Sequence, residues 1–161
     1  MNEEVLEMSE ITNEIKSFWD RFIKENPELE YLKKHTINAW SFGNTPEMAN
    51  DLLRLVLLGK KVATCSLLRA YHDEPNAIPR VGLFSVICDG NNIPKCVVFY
   101  TDTFVCSFKD VTEKHAREEG EGDLTLEYWR KVHHDFFSAY GNFSEDENLI
   151  CERFRVVYQI K

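Results

Sequence analysis

Gly59-Lys60-Lys61-Val62-Ala63-Thr64 is the stretch whose residue types first suggest chemistry. Between Asp51 and Asp73 the charged side chains are Arg54, Lys60, Lys61 and Arg69, with no acid among them. The chain as a whole carries a formal net charge of -8, so this is a local reversal of sign. A lysine behind a helix-ending glycine and ahead of a strand hydroxyl can form a pocket floor. Its ammonium can donate to an anionic or carbonyl oxygen, or act as a base where desolvation lowers its pKa. Thr64 can donate, accept, or attack once a base activates it. Strand alternation sets Thr64 and Ser66 on one face and Cys65 and Leu67 on the other. The spacing also fits a plainer reading, a solvated helix end beside a half-buried strand.

A second candidate is Glu118-Glu119-Gly120-Glu121-Gly122-Asp123. Its carboxylates could bind a cation or supply a general base, although it lacks the length and alternation of an EF-hand loop. The plainer reading is an acidic loop that caps the next helix, with Asp123 or Thr125 at its start. This loop could also pair with the basic stretch around Lys61 and bring both candidates to one site. Trp40, Phe42, Tyr128 and Trp129 are aromatics able to stack on a base. Trp129 fits a core stripe better, whereas Trp40 and Phe42 lie just before a glycine-led turn. His115, His133 and His134 raise the question of a metal, but no H-x-x-x-H or H-E-x-x-H spacing occurs. His133 shares an apolar face with Trp129 and Phe137 and reads as a satisfied core histidine. No metal and no cofactor is assigned.

The elements that must position these residues follow from periodicity. Ile11, Ile15, Phe18, Trp19, Phe22 and Ile23 predict an amphipathic helix over 10–25, and Pro27 to Lys34 a further helical turn. Thr36 to Phe42 reads as a short strand or an extended entry segment. Thr45 and Pro46 start a helix that runs to Leu58 and ends at Gly59. Val62–Leu68, Val81–Cys88, Pro94–Thr101 and Thr103–Phe108 read as strands, the middle two forming a hairpin about Asp89-Gly90-Asn91-Asn92. Val111–Glu119 and Leu124–Tyr140 read as helices, and Leu149–Gln159 as a closing strand. Short strands joined by hairpins favour a small curled sheet or barrel over a parallel sheet. There is no G-x-G-x-x-G and no P-loop.

Length and composition bound the answer. The chain has 161 residues, 43% hydrophobic and 12% aromatic, which suits one compact globular unit with a packed core. No apolar run approaches the ~20 residues that span a bilayer, so no membrane partner is expected. The acidic start, Met1 to Glu10, lacks the pattern of a secretory signal. The five cysteines include no C-x-x-C pair and read as buried reduced thiols, in keeping with a cytoplasmic protein. The net charge of -8 counts against a long nucleic-acid partner, unless one basic patch carries the contact.

Together these segments resemble the ASCH (activating-signal-cointegrator homology) domain, a relative of the PUA RNA-binding fold. The resemblance runs from about Ile37 to Tyr158. It rests on Trp40-Ser41-Phe42-Gly43, Gly59 to Thr64, Phe108-Lys109-Asp110-Val111, Glu119-Gly120-Glu121-Gly122-Asp123 with Leu126, Trp129 and His133, and Cys151-Glu152-Arg153-Phe154. The E-G-E-G-D element is similar to that of larger bacterial members. The resemblance implies an α+β fold: a PUA-like β-barrel of five to six mostly antiparallel strands surrounded by helices, with a central cleft. Residues 36–161 would form that domain and residues 1–35 an N-terminal helical extension, offered as a cover for the cleft or a homodimer contact.

One small ASCH family hydrolyses the acetyl amide of N(4)-acetylcytidine through a Lys, a Thr three residues later, and a Glu ending a Thr-Glu-Lys-His-Ala-x-x-Glu segment. Thr112-Glu113-Lys114-His115-Ala116-Arg117-Glu118-Glu119 fits that segment, so the resemblance implies Lys61, Thr64 and Glu119 as catalytic. The ligand-binding set expected around them is Trp40, Phe42, Lys60, Ser66, Arg69, Glu121, Asp123, Trp129 and His133. In that reading Lys61, with a depressed pKa, takes the proton of Thr64; in a variant, Glu119 activates water and Lys61 stabilises the oxyanion. The expected partner is a small nucleobase or nucleoside, or RNA. The alternative function is a non-catalytic RNA- or nucleotide-binding module, or a ribonuclease acting in RNA metabolism, the latter ranked below the amidohydrolase.

Overall fold

The structure is a computed structural model that describes residues 8–160. Met1 to Glu7 of the acidic start lie outside the described residues.

Helix α1 spans Asn13–Glu25, and Thr12 caps it by accepting from Ile15 N–H. Its apolar stripe buries Ile15, Phe18, Trp19, Phe22 and Ile23 against Ala39, Val86, Cys88 and Val97 of the sheet. Each such side chain contributes roughly 1.5–3 kcal/mol relative to exposure. Trp19 and Phe22 are therefore covered within the chain, and the apolar face of α1 needs no second copy to bury it. A 3-10 segment, Pro27–Lys34, follows. Strand β1 is only Ala39–Trp40. Helix α2 spans Pro46–Leu57, capped by Thr45 through Met48 N–H, with Pro46 in its first turn as expected.

Strand β2 is Ala63–Leu67, β3 is Phe84–Cys88, β4 is Pro94–Ser107 and β5 is Asn148–Gln159. Helices α3, Glu113–Glu119, and α4, Leu126–Ser138, lie between β4 and β5 in sequence. The sheet order is β1-β3-β4-β5-β2. β1 pairs with β3 in parallel, and every other pairing is antiparallel. The expected barrel is thus an open sheet: its edges, β1 and β2, do not pair with each other. The two strands expected over 94–101 and 103–108 are one 14-residue strand. Its ladder with β5 shifts register between Tyr100 and Asp102, and this bulge is the feature that divides the sequence pattern.

Two glycines are dictated by geometry. Gly59 ends α2 with φ +74°, and a Cβ there would meet nothing within 4 Å. Gly120 ends α3 with φ +72°, and a Cβ there would stand 2.1 Å from the Lys60 carbonyl oxygen. Both positions disfavour any other residue, but only Gly120 is also sterically filled. Gly59→Ala should cost about 1–2 kcal/mol, the strain of a left-handed residue. Gly120→Ala should cost more, because the backbone contact with Lys60 must also open. Urea unfolding of the two variants side by side tests the ranking, and equal losses would contradict it.

Candidate functional site

The backbone around Lys61 is tied down on three sides. The N–H groups of Lys60 and Lys61 both donate to Leu55 O, at 2.9 and 3.1 Å. Val62 N–H donates to Glu118 O at 2.9 Å, and Phe154 N–H donates to Val62 O at 3.0 Å. The Lys61 side chain consequently runs inward and is 2% exposed. Its Nζ lies 3.4 Å from Glu119 Oε2, 3.4 Å from Glu119 O and 3.5 Å from Glu121 Oε2. The ammonium thus sits at the C-terminal end of α3, where the helix dipole favours a cation. The Phe42 ring lies 5.5 Å from it.

Glu119 is wholly buried and held on both oxygens. His115, one helical turn earlier, donates its Nε2–H to Oε1 at 2.7 Å. His133 Nε2 reaches Oε2 at 3.0 Å, while His133 Nδ1 lies 2.8 Å from Trp129 O. Both ring nitrogens of His133 face acceptors, so both must donate and the ring is an imidazolium. Trp129 stacks under it, centroids 4.2 Å apart. The protonation states agree with this geometry. Burial opposes ionisation of Glu119, but Lys61, His133 and the histidine hydrogen bonds outweigh it and hold the carboxyl well below its ordinary range. Burial likewise works against charge on Lys61 and His133, yet the nearby carboxylates leave both above their ordinary values. Lys61 is therefore a cation at neutral pH, which corrects the expectation of a depressed pKa and a proton-accepting amine. Glu121 differs: burial and then the charge of Glu119 push its carboxyl up, against the pull of Lys61.

This cluster forms part of the wall of a cavity of about 650 Å³. Both sheet edges line it, with Trp40 and Phe42 at the β1 side and Thr64 and Ser66 on β2. Lys61, Glu119, Glu121 and His133 complete the set of expected residues that line it. Thr64 reaches the cavity, but among the described residues it is hydrogen-bonded to neither Lys61 nor Glu119. The other expected ligand-binding residues lie elsewhere. Lys60 is exposed, because the chain turns over between it and the inward Lys61. Arg69 bonds to Gly141 O and pairs with Glu147 on the exterior. Asp123 accepts from Thr125 N–H and Oγ1–H at the start of α4. Trp129 is buried beneath His133 and does not line the cavity.

Tyr71, Tyr100 and Glu152 are not singled out by the sequence as site residues, and His115 enters it only as a possible metal ligand. The His115 and Glu119 pair is an i, i+4 spacing on one helix, a signal present in the sequence. Tyr100 is fully buried, and its hydroxyl bonds Ser85 Oγ at 2.7 Å and accepts from Trp40 Nε1 at 3.2 Å. Glu152 pairs across the sheet with Thr64, lines the cavity and is 3% exposed, and its Oε2 has no partner among the described residues. Burial, followed by the Glu119 charge, pushes its carboxyl up to about 8. Cys65, Glu119 and His133 each offer a ligand atom, all within 4.8 Å of one another. A metal there would have to displace the Lys61 ammonium and the His133 proton from Glu119, which argues against the group as a metal centre.

The two buried glutamates should respond to pH in opposite directions. Glu119 has a lowered folded pKa, so its stabilisation is present above about 4.5 and fades as pH falls through the folded value. Glu119→Gln should cost about 3–5 kcal/mol at neutral pH, because it strands Lys61 and His133. Glu152 has a raised folded pKa, so its contribution falls by up to about 1.4 kcal/mol per pH unit as pH rises from 4.5 to about 8. Glu152→Gln should remove that slope and gain on the parent steadily across the same window. Denaturant unfolding from pH 4 to 9 reads both, and parallel curves for parent and Glu152→Gln would refute the second.

Comparison with known proteins agrees with this architecture. The model of the ASCH domain family matches residues 38–158. An ASCH domain structure from Lactobacillus crispatus is 30% identical, with 92% of this chain and 97% of that chain covered and a TM-score of 0.84. A protein from Enterococcus faecalis is 31% identical, with 94% and 97% covered and a TM-score of 0.81. A search of curated proteins gave no match. On the match to the family model and the shared architecture, the chain belongs to the ASCH domain family, with its PUA-like fold.

Proposed function

We propose that the cavity binds a nucleobase-bearing ligand and that the Lys61 centre hydrolyses an acyl amide on it. N(4)-acetylcytidine is the substrate suggested by the resemblance of Lys61, Thr64 and Glu119 to the catalytic set of the small amidohydrolase family. One observation carries the reading. A buried ammonium, Lys61, stands 3.5 Å from Glu121, a carboxylate of raised pKa, at the wall of a 650 Å³ aromatic cavity. Cavities of about 300–1,000 Å³ suit small organic ligands. Trp40, Phe42 and Tyr71 offer ring surfaces for a base. The net charge of -8, and the position of Lys60 and Arg69 away from the cavity, favour a small ligand over long RNA.

The residues divide the work as follows. Water attacks the acyl carbon and Glu121 takes its proton, a task suited to a carboxylate whose pKa is raised. Lys61, backed by His133, stabilises the oxyanion. The C–N bond then breaks, Glu121 returns the proton to the leaving nitrogen, and the products are a carboxylic acid and the free amine. Glu119 holds Lys61 and His133 in place and stays ionised throughout. Thr64 orients the water from β2. We place this activity in the cytoplasm, in keeping with five free thiols. We infer too that residues 36–161 are the ASCH unit and residues 1–35 an N-terminal extension, of which helix α1 packs on the sheet.

Purified protein should release cytidine and acetate from N(4)-acetylcytidine. Glu121→Gln should lower kcat by about 10²–10⁴-fold, the usual worth of a general base, while leaving KM and the melting temperature near the parent's. Lys61→Met should abolish turnover. Folded protein that binds nucleosides independently of salt yet turns over none of a panel of acylated nucleosides would make the domain a binding module and remove the hydrolase.

A further inference from the structure

We propose that Leu67, Ala70, Phe136 and Phe137 form a second, apolar subsite of the cavity that takes the acyl group, so that the substrate is an amide of a bulky, uncharged acid, best met by an aromatic one. The inference rests on the hydrolase reading above and deepens it by naming the class of acyl group.

The charged centre stands between two separate hydrophobic clusters. On one side Lys61 Nζ lies 5.5 Å from the ring of Phe42, which packs with Trp40 and Leu52 in the first cluster. On the other side His133, joined to Lys61 through Glu119, stacks on Trp129 and lies 5.9 Å from the Phe137 ring. Trp129 and Phe137 belong to the second cluster, where Leu67 is buried and Ala70 and Phe136 are half-buried. Both clusters give side chains to the one cavity: Trp40, Phe42 and Leu52 from the first, Leu67, Ala70, Phe136 and Phe137 from the second. His133, Phe136 and Phe137 stand three and four positions apart on α4, so the apolar wall continues from the charged centre along that helix. The Phe136 ring lies 5.7 Å from Phe137 and 5.4 Å from Tyr140, which extends the wall.

The chemistry follows from where an amide must sit. Its carbonyl carbon joins two limbs, the acyl group and the nitrogen that carries the base. With the carbonyl at Lys61, the limbs leave the centre in different directions. The base takes the rings of Trp40 and Phe42, so the acyl group runs along α4. An acetyl group ends at a methyl and leaves Phe136 and Ala70 without a contact. An aromatic acyl group reaches them and removes their surface from water. The limb also selects against charge. Among the described residues Lys61 is the only lysine or arginine that lines the cavity, and Asp135 is the ionisable group that α4 adds to this wall besides His133. An acyl group that ends in a carboxylate finds no counter-ion there. Hydrolysis yields the free exocyclic amine and a carboxylic acid, whose ionised form no longer suits the apolar wall.

The test compares N(4)-benzoylcytidine with N(4)-acetylcytidine as substrates of the full chain, each rate divided by that of alkaline hydrolysis to remove intrinsic reactivity. The benzoyl amide should have the higher kcat/KM by about tenfold or more, the lower end of what one methylene is worth in an apolar pocket. Phe136→Ala removes the wall and Ala70→Leu fills the limb, and each should cut that ratio by about tenfold. Both substrates are read in the same sample, so a loss of folded protein cancels from the ratio. Calorimetric binding to Glu121→Gln, which holds the amides with little turnover, should give the same order. Equal handling of the two amides by the parent, or an unchanged ratio in either folded variant, overturns the proposal. The two readings fail separately. Tighter binding of the benzoyl amide with turnover of neither sinks only the hydrolase. Turnover of N(4)-acetylcytidine with no gain for the benzoyl amide sinks only the acyl subsite.

Discussion

A single ionised carboxylate deep in the protein, Glu119, sets the terms for everything around it. Removing a charge from water costs several kcal/mol even after relaxation, and only close, well-aimed partners offset it. Glu119 has three: Lys61, His115 and His133. They come from three separate parts of the chain, the exit of α2, the body of α3 and the middle of α4. Holding them together is therefore a tertiary task. It explains why α3 is only seven residues long and stops at Gly120. A longer helix would carry the backbone past Lys60, and a side chain at Gly120 would collide with it. The acidic loop is less a ligand-binding ribbon than a hinge that turns Glu119 and Glu121 inward and leaves Asp123 outside to start α4.

The same constraint bears on the sheet. β1 and β2 are its two edges, and the cavity takes up the seam where a barrel would have closed. Unpaired edges are a hazard unless they are short or covered. β1 has two residues, and β2 has five with α3 packed beside it. An open seam lets solvent and a ligand reach side chains that a closed barrel would bury. Lys61 and Glu119 hold the β2 side of the seam, while the Tyr100 hydroxyl bonded to Ser85 and Trp40 braces the other.

Much of the fold was legible because hydrophobic period and capping chemistry are local. Thr12, Thr45, Thr112 and Thr125 each accept from a backbone N–H at a helix start, and Thr45 and Thr125 stand where a capping residue was sought. What failed was nonlocal. The bulge near Tyr100 looked like a strand boundary, and barrel closure depends on a register that no periodicity encodes. At the site, a cluster of positive residues marked the right stretch, but sign reversal does not say which cation turns inward. Of Lys60, Lys61 and Arg69 only Lys61 does. Residue type also misled about its protonation. An isolated buried lysine loses its proton, whereas one between two carboxylates keeps it, and the second carboxylate lies 60 positions away. Glu152 was overlooked for a related reason: an acid on a strand ordinarily faces water.

Glu119 and Glu152 show how one cavity keeps two carboxyl groups in opposite states. Glu119 has the cations and is ionised; Glu152 has none in contact among the described residues and is neutral near pH 7. The states are linked, because the charge on Glu119 helps to keep Glu152 protonated, while Lys61 pulls the other way. Divergent environments for paired titratable groups are a common way for a site to separate roles. Here the separation runs between a charged end, formed by Lys61, His133, Glu119 and Glu121, and a neutral end, formed by Glu152. Weakening Glu119 would therefore disturb both ends together, because its charge acts on Lys61, His133 and Glu152 alike.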